Sequence, residues 1–248
     1  MSGDLISLHM VAVAATRPDA ELLRQGAGMA SVPIDFSAVD AGSAASTLAQ
    51  GGVDIVILDI GVPAADCAAV IKAARAATPA PFIVMIAPSA GTRVEGTDAT
   101  VAKPANADDA RKLAELCVRV KIPTRVLVVD DSGTMRSIVR KILSGSRFAL
   151  EVQEAEEGIA ALAQLRTGNF GIVFLDYNMP GLNGFETLSE IKRETPGVAV
   201  VMMTSTLDNA IADRAHASGA LAFLKKPFYP KDIDAVLERY YGLNAPAR

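Results

Sequence analysis

The sequence predicts two α/β domains, each a parallel β-sheet with helices on both faces. Short apolar runs alternate with longer amphipathic stretches along the chain, which is typical of parallel sheets because each crossover between strands usually carries a helix. The apolar runs are nearly continuous, as expected for strands buried on both faces. A boundary at Pro123 separates two such series, so we place the domains at residues 1–122 and 123–248.

The first series contains alternating strands and helices whose limits are marked by proline and glycine. Pro18 and Asp19 open the first helix, Gly51 and Gly52 end the second, and Pro79 stops the third. We predict strands at residues 9–14, 34–39, 53–58, 82–86 and 100–102, and helices at residues 18–28, 41–50, 63–77 and 108–120.

The second series repeats this order with one more helix. Met135, Ile138, Val139 and Ile142 form one apolar face of its first helix, and Pro230 opens its last. We predict strands at residues 125–129, 150–153, 172–175, 198–203 and 222–224, and helices at residues 134–143, 158–165, 184–193, 208–218 and 230–241.

A constant spacing indicates that the two series are copies of one fold. Asp59 and Asp176 are 117 residues apart, as are Pro63 and Pro180. The same offset continues through a strand, a loop, a helix and the next strand, which two unrelated α/β domains would not produce. The linker at residues 121–124 is short.

The first series differs from the second after its fourth strand. The distance from Ala87 to Lys103 is 16 residues, whereas the matching distance from Thr204 to Lys226 is 22. Residues 88–96 contain proline, serine and glycine, which favour a loop. We therefore expect the fourth helix of the first domain to be shortened or missing.

Composition excludes several classes of function. The net charge of −4 offers no basic surface for nucleic acid. Cys67 and Cys117 have no metal-binding or redox spacing and favour a reducing compartment. The N-terminal residues do not resemble a signal peptide, and no apolar stretch has membrane-spanning length. We expect a cytoplasmic protein that binds neither nucleic acid nor membrane.

Reactive side chains stand at or directly after four strand ends of the second series. These are Asp130 and Asp131, then Asp176, Thr204 and Lys226. The carboxyl ends of parallel strands share one edge of the sheet, so these groups should meet there. Three carboxylates repel one another unless a cation such as Mg²⁺ joins them, and Mg²⁺ also accepts phosphate oxygens. The set suits phosphoryl transfer to an aspartate, with lysine and threonine stabilising the transferred group.

Four motifs within residues 123–242 resemble those of response-regulator receiver domains of the chemotaxis type. They are Val128-Val129-Asp130-Asp131-Ser132 followed by Met135-Arg136, Leu175-Asp176 with Met179-Pro180 and Gly184, Thr204-Ser205, and Lys226-Pro227-Phe228. The resemblance implies two flavodoxin-like, doubly wound (βα)5 domains, each with a five-stranded parallel sheet in the order 2-1-3-4-5.

The resemblance also implies a role for each site residue. Asp176 would accept a phosphoryl group from the phosphohistidine of a histidine kinase or phosphotransfer protein. Asp131 would bind Mg²⁺ directly and Asp130 partly through water. Asp176 itself and the backbone carbonyl of Asn178 would complete the protein ligands.

Three further positions match the switching elements of the family. Thr204 and Lys226 would sense and stabilise the phosphoryl group, and Phe223 stands at the place of the switching aromatic residue. An ordinary core position is the alternative for Phe223. The Lys226–Pro227 bond would be cis, a conformation that a peptide bond before proline accepts at little cost.

The first domain resembles a receiver that has lost its metal site. Asp59 and Lys103 are retained, but the acid pair is replaced by Val13 and Ala14, or by Ala14 and Ala15 if the register slips by one. One carboxylate does not build a Mg²⁺ site, so Asp59 and Lys103 are expected to form an ion pair. We expect a pseudo-receiver that modulates the second domain.

Several alternatives remain open at this level. The protein could signal to an unknown downstream protein or act as a phosphate sink, and homodimerisation is undecided. We expect it to catalyse only its own phosphorylation and dephosphorylation. A metal-dependent phosphohydrolase with an aspartate nucleophile is disfavoured, because Asn178 stands where such enzymes carry a second acid and no insertion provides a cap. A scaffold with no active site is disfavoured by the complete residue set of the second domain.

Overall fold

The computed structural model describes residues 7–89, 94–205 and 209–243 and contains two five-stranded parallel sheets. The chain divides into two compact units. The first comprises Met1–Ile122 with Tyr241–Arg248, and the second comprises Pro123–Tyr240. Within the described residues no helix is both long enough and apolar enough to cross a membrane.

The first unit follows the predicted alternation of strands and helices. Its strands are β1 (Leu8–Val13), β2 (Ile34–Ala38), β3 (Ile55–Asp59), β4 (Phe82–Ala87) and β5 (Ala99–Ala102), and its helices are α1 (Arg17–Gly28), α2 (Ala41–Ala49), α3 (Ala64–Ala76) and α4 (Ala107–Lys121). The sheet order is β2-β1-β3-β4-β5. Between β4 and β5, residues 88–89 and 94–98 contain no helix, in agreement with the predicted loss. Residues 90–93 of this connection lie outside the described residues.

The second unit repeats the architecture with the additional helix. Its strands are β6 (Thr124–Val129), β7 (Leu150–Ala155), β8 (Ile172–Asp176), β9 (Ala199–Thr204) and β10 (Ala222–Lys225), and its helices are α5 (Gly133–Ser144), α6 (Gly158–Thr167), α7 (Gly184–Glu194), α8 (Asn209–Ala217) and α9 (Pro230–Tyr241). The order β7-β6-β8-β9-β10 matches that of the first sheet. The predicted flavodoxin-like fold with strand order 2-1-3-4-5 is therefore confirmed in both units.

Burial follows from the place of each strand in its sheet. The central strands β3 and β8 are buried at every residue, including the aspartate that ends each of them. The edge strand β7 instead alternates between more and less buried positions, as expected where one face is partly solvated. In each unit a buried central strand therefore places an aspartate, Asp59 or Asp176, at the carboxyl edge of its sheet.

Candidate functional site

Three carboxylates meet at the carboxyl edge of the second sheet. Asp176 ends β8, and Asp130 and Asp131 directly follow β6. Val129 lies beside Leu175 in the paired strands, which brings the two strand ends together. One oxygen from each carboxylate lies within 4.8 Å of the others, with Asp130 and Asp176 buried and Asp131 exposed. The predicted convergence of these three residues is present in the structure.

Lys226 joins two of these carboxylates. Its ammonium group lies 2.6 Å from Asp130 Oδ2 and 2.8 Å from Asp176 Oδ1. The Lys226 backbone amide donates a hydrogen bond to the Thr204 carbonyl at 2.7 Å, which fixes the lysine beside the end of β9. The following bond to Pro227 is cis, as predicted. Lys226 therefore approaches the acids from the end of β10.

The electrostatics of the site shift the ionisation of two groups. Burial raises the pKa of the Asp176 carboxyl; the hydrogen bond from Lys226 opposes this shift, while the charges of Asp130 and Asp131 add to it. Burial acts to lower the pKa of Lys226, but its hydrogen bonds to Asp130 and Asp176 outweigh that effect and raise it. Lys226 is therefore protonated at neutral pH, and its single positive charge does not neutralise all three acids of the site.

The remaining predicted residues surround this centre. Thr204 ends β9 and is fully buried. Phe223 is half-buried, pairs in register with Met202 and packs against the core of the unit. Asn178 is exposed and lines the pocket above the acids. The roles assigned to these residues, including the Asn178 carbonyl as a metal ligand, stay predictions.

Local backbone contacts explain how the acids are held. Asp130 Oδ1 accepts a hydrogen bond from the Ser132 amide at 2.9 Å, and the Ser132 side chain caps the start of α5. Gly184, the first residue of α7, lies against the end of β8. A Cβ atom at Gly184 would stand 2.5 Å from the Asp176 carbonyl oxygen, so glycine is required for this close approach.

Arg136 is a site residue whose role sequence reasoning missed. Its Nη1 atom donates a hydrogen bond to the Asp130 carbonyl at 2.8 Å, and its Nε atom donates one to Glu154 at 3.1 Å. The guanidinium also pairs with Glu156 at 2.6 Å and is 11% exposed. Arg136 appeared in the family motif, but its acidic partners come from β7 and the following turn, which the motif does not include.

The donor set fits a hard divalent cation. Opposite ligands of Mg²⁺ stand about 4 Å apart because each metal–oxygen distance is about 2.1 Å, close to the 4.8 Å spread of the three carboxylate oxygens. The pocket beside them has a volume of about 500 Å³, which leaves room for water and a phosphoryl group. Among the described residues, this is the group of three or more His, Cys, Asp or Glu side chains whose ligand atoms lie close enough together to hold one metal ion.

The first unit places a second acid, in addition to Asp59, beside its lysine. Lys103 lies 2.9 Å from Asp59 Oδ2, the predicted partner, and 2.7 Å from Asp19 Oδ2. Asp19 belongs to the first turn of α1 and also accepts a hydrogen bond from Thr16 at 2.6 Å. Sequence reasoning placed Asp19 only as a helix start, and strand order gave no sign that its side chain reaches Lys103. The structure thus shows one lysine between two acids.

The register at the missing acid pair is also settled by the helix caps. Thr16 caps α1 and Ser132 caps α5. Asp130 and Asp131, which precede Ser132, therefore correspond to Ala14 and Ala15, the slipped register of the two considered. The first unit has two methyl groups where the second has two carboxylates.

Comparison with known proteins supports one family. A family model described as "Response regulator receiver domain" matches residues 126–238. The chain is 33% identical over 119 residues to the chemotaxis protein CheY-3 of Vibrio cholerae, which covers 47% of this chain and 91% of that protein. It is 31% identical over 134 residues to the transcriptional regulatory protein ResD of Bacillus subtilis, covering 50% of this chain and 55% of ResD.

A solved structure resembles nearly the whole chain. It is described as a "probable two-component system response regulator/GGDEF domain protein", and the TM-score is 0.56 at 19% identity over 95% of this chain and 98% of that one. This likeness concerns the fold. Together with the sequence relatives, the site defines a receiver-type signalling protein, and the chain belongs to the response regulator receiver domain family.

Proposed function

We propose that the second unit is a phosphoaccepting receiver in which Asp176 takes a phosphoryl group from a phosphohistidine of a histidine kinase or phosphotransfer protein. The observation that carries this proposal is the cluster of Asp130, Asp131 and Asp176 with Lys226 at one sheet edge. A nucleophilic carboxylate, a neighbouring cation and an open pocket are the parts that phosphoryl transfer requires.

In this proposal the chain's own residues position and stabilise the reacting groups. A carboxylate oxygen of Asp176 attacks phosphorus, a P–O bond forms, and the P–N bond of the donor breaks. The histidine nitrogen leaves with its electron pair and takes a proton. Lys226 stays close to the developing charge through its 2.8 Å contact with Asp176, and Thr204 stands at the neighbouring strand end. Mg²⁺, held by Asp130, Asp131, Asp176 and the Asn178 carbonyl, would neutralise the phosphoryl oxygens.

The first unit has a modulatory role in this proposal. Residues 1–122 form the pseudo-receiver and residues 123–248 the active receiver. Lys103 pairs with both Asp19 and Asp59 and so supplies a positive charge from the chain itself. This supports the proposal that the first unit needs neither metal nor phosphoryl group. Output then passes to a downstream protein through surface contacts.

A matched pair of substitutions tests the proposal. Asp59→Asn and Asp176→Asn make the same change at the end of the third strand of each unit. The full chain is incubated with Mg²⁺ and a radiolabelled small phosphodonor. We expect loss of the acid-stable label in Asp176→Asn and full labelling in Asp59→Asn. We expect no labelling after chelation of Mg²⁺. Equal labelling of the two variants would reject Asp176 as the acceptor.

A further inference from the structure

A preformed groove lies in the first unit between α3, β4 and residues 94–96. Its volume is about 570 Å³, and Ile60 at its edge is 48% exposed. Its lining is mainly apolar and includes Ile60, Cys67, Ala68, Ile71 and Met85, with Lys72 and Glu95 as the charged side chains. An apolar groove of this size is suited to another chain rather than to a charged ligand.

The second unit shows what covers the corresponding face. There Ala215 of α8 is fully buried in the same core cluster as Leu188 of α7 and Met202 of β9. The Arg214 guanidinium carbon lies 4.4 Å from the centre of the Phe185 ring. A helix with small apolar side chains therefore closes this face in one copy of the fold.

The matching positions are more exposed in the first unit. At the 117-residue offset, Ala68 matches Phe185 and Ile71 matches Leu188. Phe185 and Leu188 are buried, whereas Ala68 is exposed and Ile71 is half-buried. Within residues 88–89 and 94–98 there is no helix that takes the place of α8.

Hydrogen bonds hold the segment at residues 94–98, whose first three residues form one wall of the groove. Arg75 donates hydrogen bonds to the Gly96 carbonyl at 2.9 and 3.0 Å and to Asp98 at 2.7 Å. Asp98 in turn accepts a hydrogen bond from the Ile83 amide at 2.7 Å. Gly96 has φ +80°, and a Cβ atom there would stand 2.6 Å from Ile71 Cγ2. The groove is thus built before any partner binds, which lowers the ordering cost of association.

A buried polar group lies on the same face of the sheet. Thr100 pairs in register with Met85, and Phe223 pairs with Met202 at the matching place in the second unit. Thr100 is 4% exposed, and its hydroxyl has no hydrogen-bond partner among the described residues. A small side chain therefore stands here in the first unit where the second unit has an aromatic ring.

We propose that this groove binds a short amphipathic helix of a partner protein, with small apolar side chains against Ile71 and Met85 as α8 packs in the second unit. Helix-in-groove binding of this kind uses apolar anchors spaced three and four residues apart. Lys72 and Glu95 give the groove one charge of each sign, so apolar packing rather than net charge would select the helix.

The sequence of α8 itself provides a probe. A peptide with the sequence of residues 209–219, stapled into a helix, is added to the full chain labelled at isoleucine and methionine methyl groups. We expect saturable chemical-shift changes at Ile60, Ile71 and Met85. Methyl groups of the second unit, where α8 already occupies its face, should not shift.

Two alanines of α3 give a matched control. Ala68 and Ala69 are both exposed, but only Ala68 is among the described residues lining the groove. We expect Ala68→Arg to weaken peptide binding at least about tenfold, which is about 1.4 kcal/mol, and Ala69→Arg to leave it unchanged. Ile60→Ser, a change at an exposed side chain, should also weaken binding and serves if Ala68→Arg disturbs folding.

Three results would overturn the proposal. The first is absence of shifts at about millimolar peptide, the weak end of measurable affinity. The second is equal binding by the Ala68→Arg and Ala69→Arg variants. The third is a concentration-dependent shift of the groove methyl groups without peptide, together with a doubled mass in sedimentation, which would make a second copy of the chain the occupant.

Discussion

A lysine after the last strand of each unit bridges two carboxylates, but the charge that remains differs between the units. Lys226 is surrounded by Asp130, Asp131 and Asp176, so three negative charges face one positive charge. Lys103 faces only two acids among its ion-pair partners in the described residues. The second site therefore keeps an excess of two negative charges, the charge that one divalent cation offsets.

The pH dependence of the first unit should reveal its internal ion pair. Hydrogen bonds from Lys103 and then Thr16 lower the pKa of Asp19 below the ordinary 3.8. Stability from this pair is therefore present above the ordinary pKa and is lost as pH falls through the lowered value. We expect Asp19→Asn to reduce the free energy of unfolding by about 1 kcal/mol at neutral pH, and by progressively less under acid.

Urea unfolding followed through amide resonances of the first unit measures this difference. Glu21→Gln is the control, because it neutralises an acid on the same helix whose ion pair, with Arg24 at 3.5 Å, is exposed. Such surface pairs contribute little. A destabilisation by Asp19→Asn that stays constant down to about pH 3 would contradict the ion pair, since the ordinary pKa lies above that value.

Arg136 is expected to tune the metal site through the Asp130 backbone. Its planar guanidinium holds the Asp130 carbonyl and Glu154 at once, which the point charge of lysine does not reproduce. We expect Arg136→Lys to lower Mg²⁺ affinity about tenfold, the usual scale for residues that orient metal ligands. Isothermal titration calorimetry of the full chain measures it.

Arg140→Lys is the control for this prediction. Arg140 pairs with the same Glu154 at 3.4 Å, but its side chain is 57% exposed, and no described contact joins it to Asp130. Unchanged Mg²⁺ affinity in Arg136→Lys, or an equal loss in both variants, would show that the Asp130 carbonyl contact has no influence on the site.

At the scale of elements, the start of α7 should tolerate no side chain larger than hydrogen. A Cβ atom at Gly184 would meet the Asp176 carbonyl oxygen at 2.5 Å and the Tyr177 Cα atom at 2.7 Å, both backbone atoms. We expect Gly184→Ala to destabilise the second unit by about 1–3 kcal/mol and to slow phosphorylation, because the end of β8 must move.

Gly197→Ala provides the comparison, since a Cβ atom there meets nothing within 4 Å. Its effect should lie within about 0.5 kcal/mol of zero. Urea unfolding through amide resonances of the second unit distinguishes the two changes. Equal stability of the two variants would mean that α7 is free to shift away from β8.

Much of the fold and part of the site could be predicted because strand ends obey a simple rule. In a parallel sheet all carboxyl ends share one edge, so an apolar run that ends in Asp176 and another that precedes Asp130 predict a meeting point without any knowledge of distances. The lost helix was predictable for a similar reason, since the connection from Ala87 to Lys103 is six residues shorter than its counterpart.

The contacts that were missed depend on side-chain reach. Asp19 meets Lys103 from the first turn of a helix, and nothing in strand order locates a helix side chain at the sheet edge. Arg136 reaches Glu154 and Glu156 only because of the register between β6 and β7. Such contacts follow from three-dimensional packing, which periodicity and spacing do not contain.

At the scale of the whole molecule, two copies of one fold should respond differently to Mg²⁺. The ion would bind where Asp130, Asp131 and Asp176 converge, while the matching place in the first unit holds Ala14, Ala15 and a lysine bridge. A ligand that binds only the folded state stabilises it by about 2.7 kcal/mol at a hundredfold excess over its dissociation constant. We expect that gain in the second unit alone.

The measurement is urea unfolding of the full chain with and without Mg²⁺, followed separately through amide resonances of each unit. Asp131→Asn removes an exposed acid of the cluster and should abolish the gain, whereas Asp59→Asn should leave it intact. A loss of the gain in Asp59→Asn, or equal stabilisation of both units, would place the ion elsewhere. Because Asp131→Asn changes one strand-end residue within an unchanged topology, loss of the Mg²⁺ response in that variant would trace to this residue rather than to the fold.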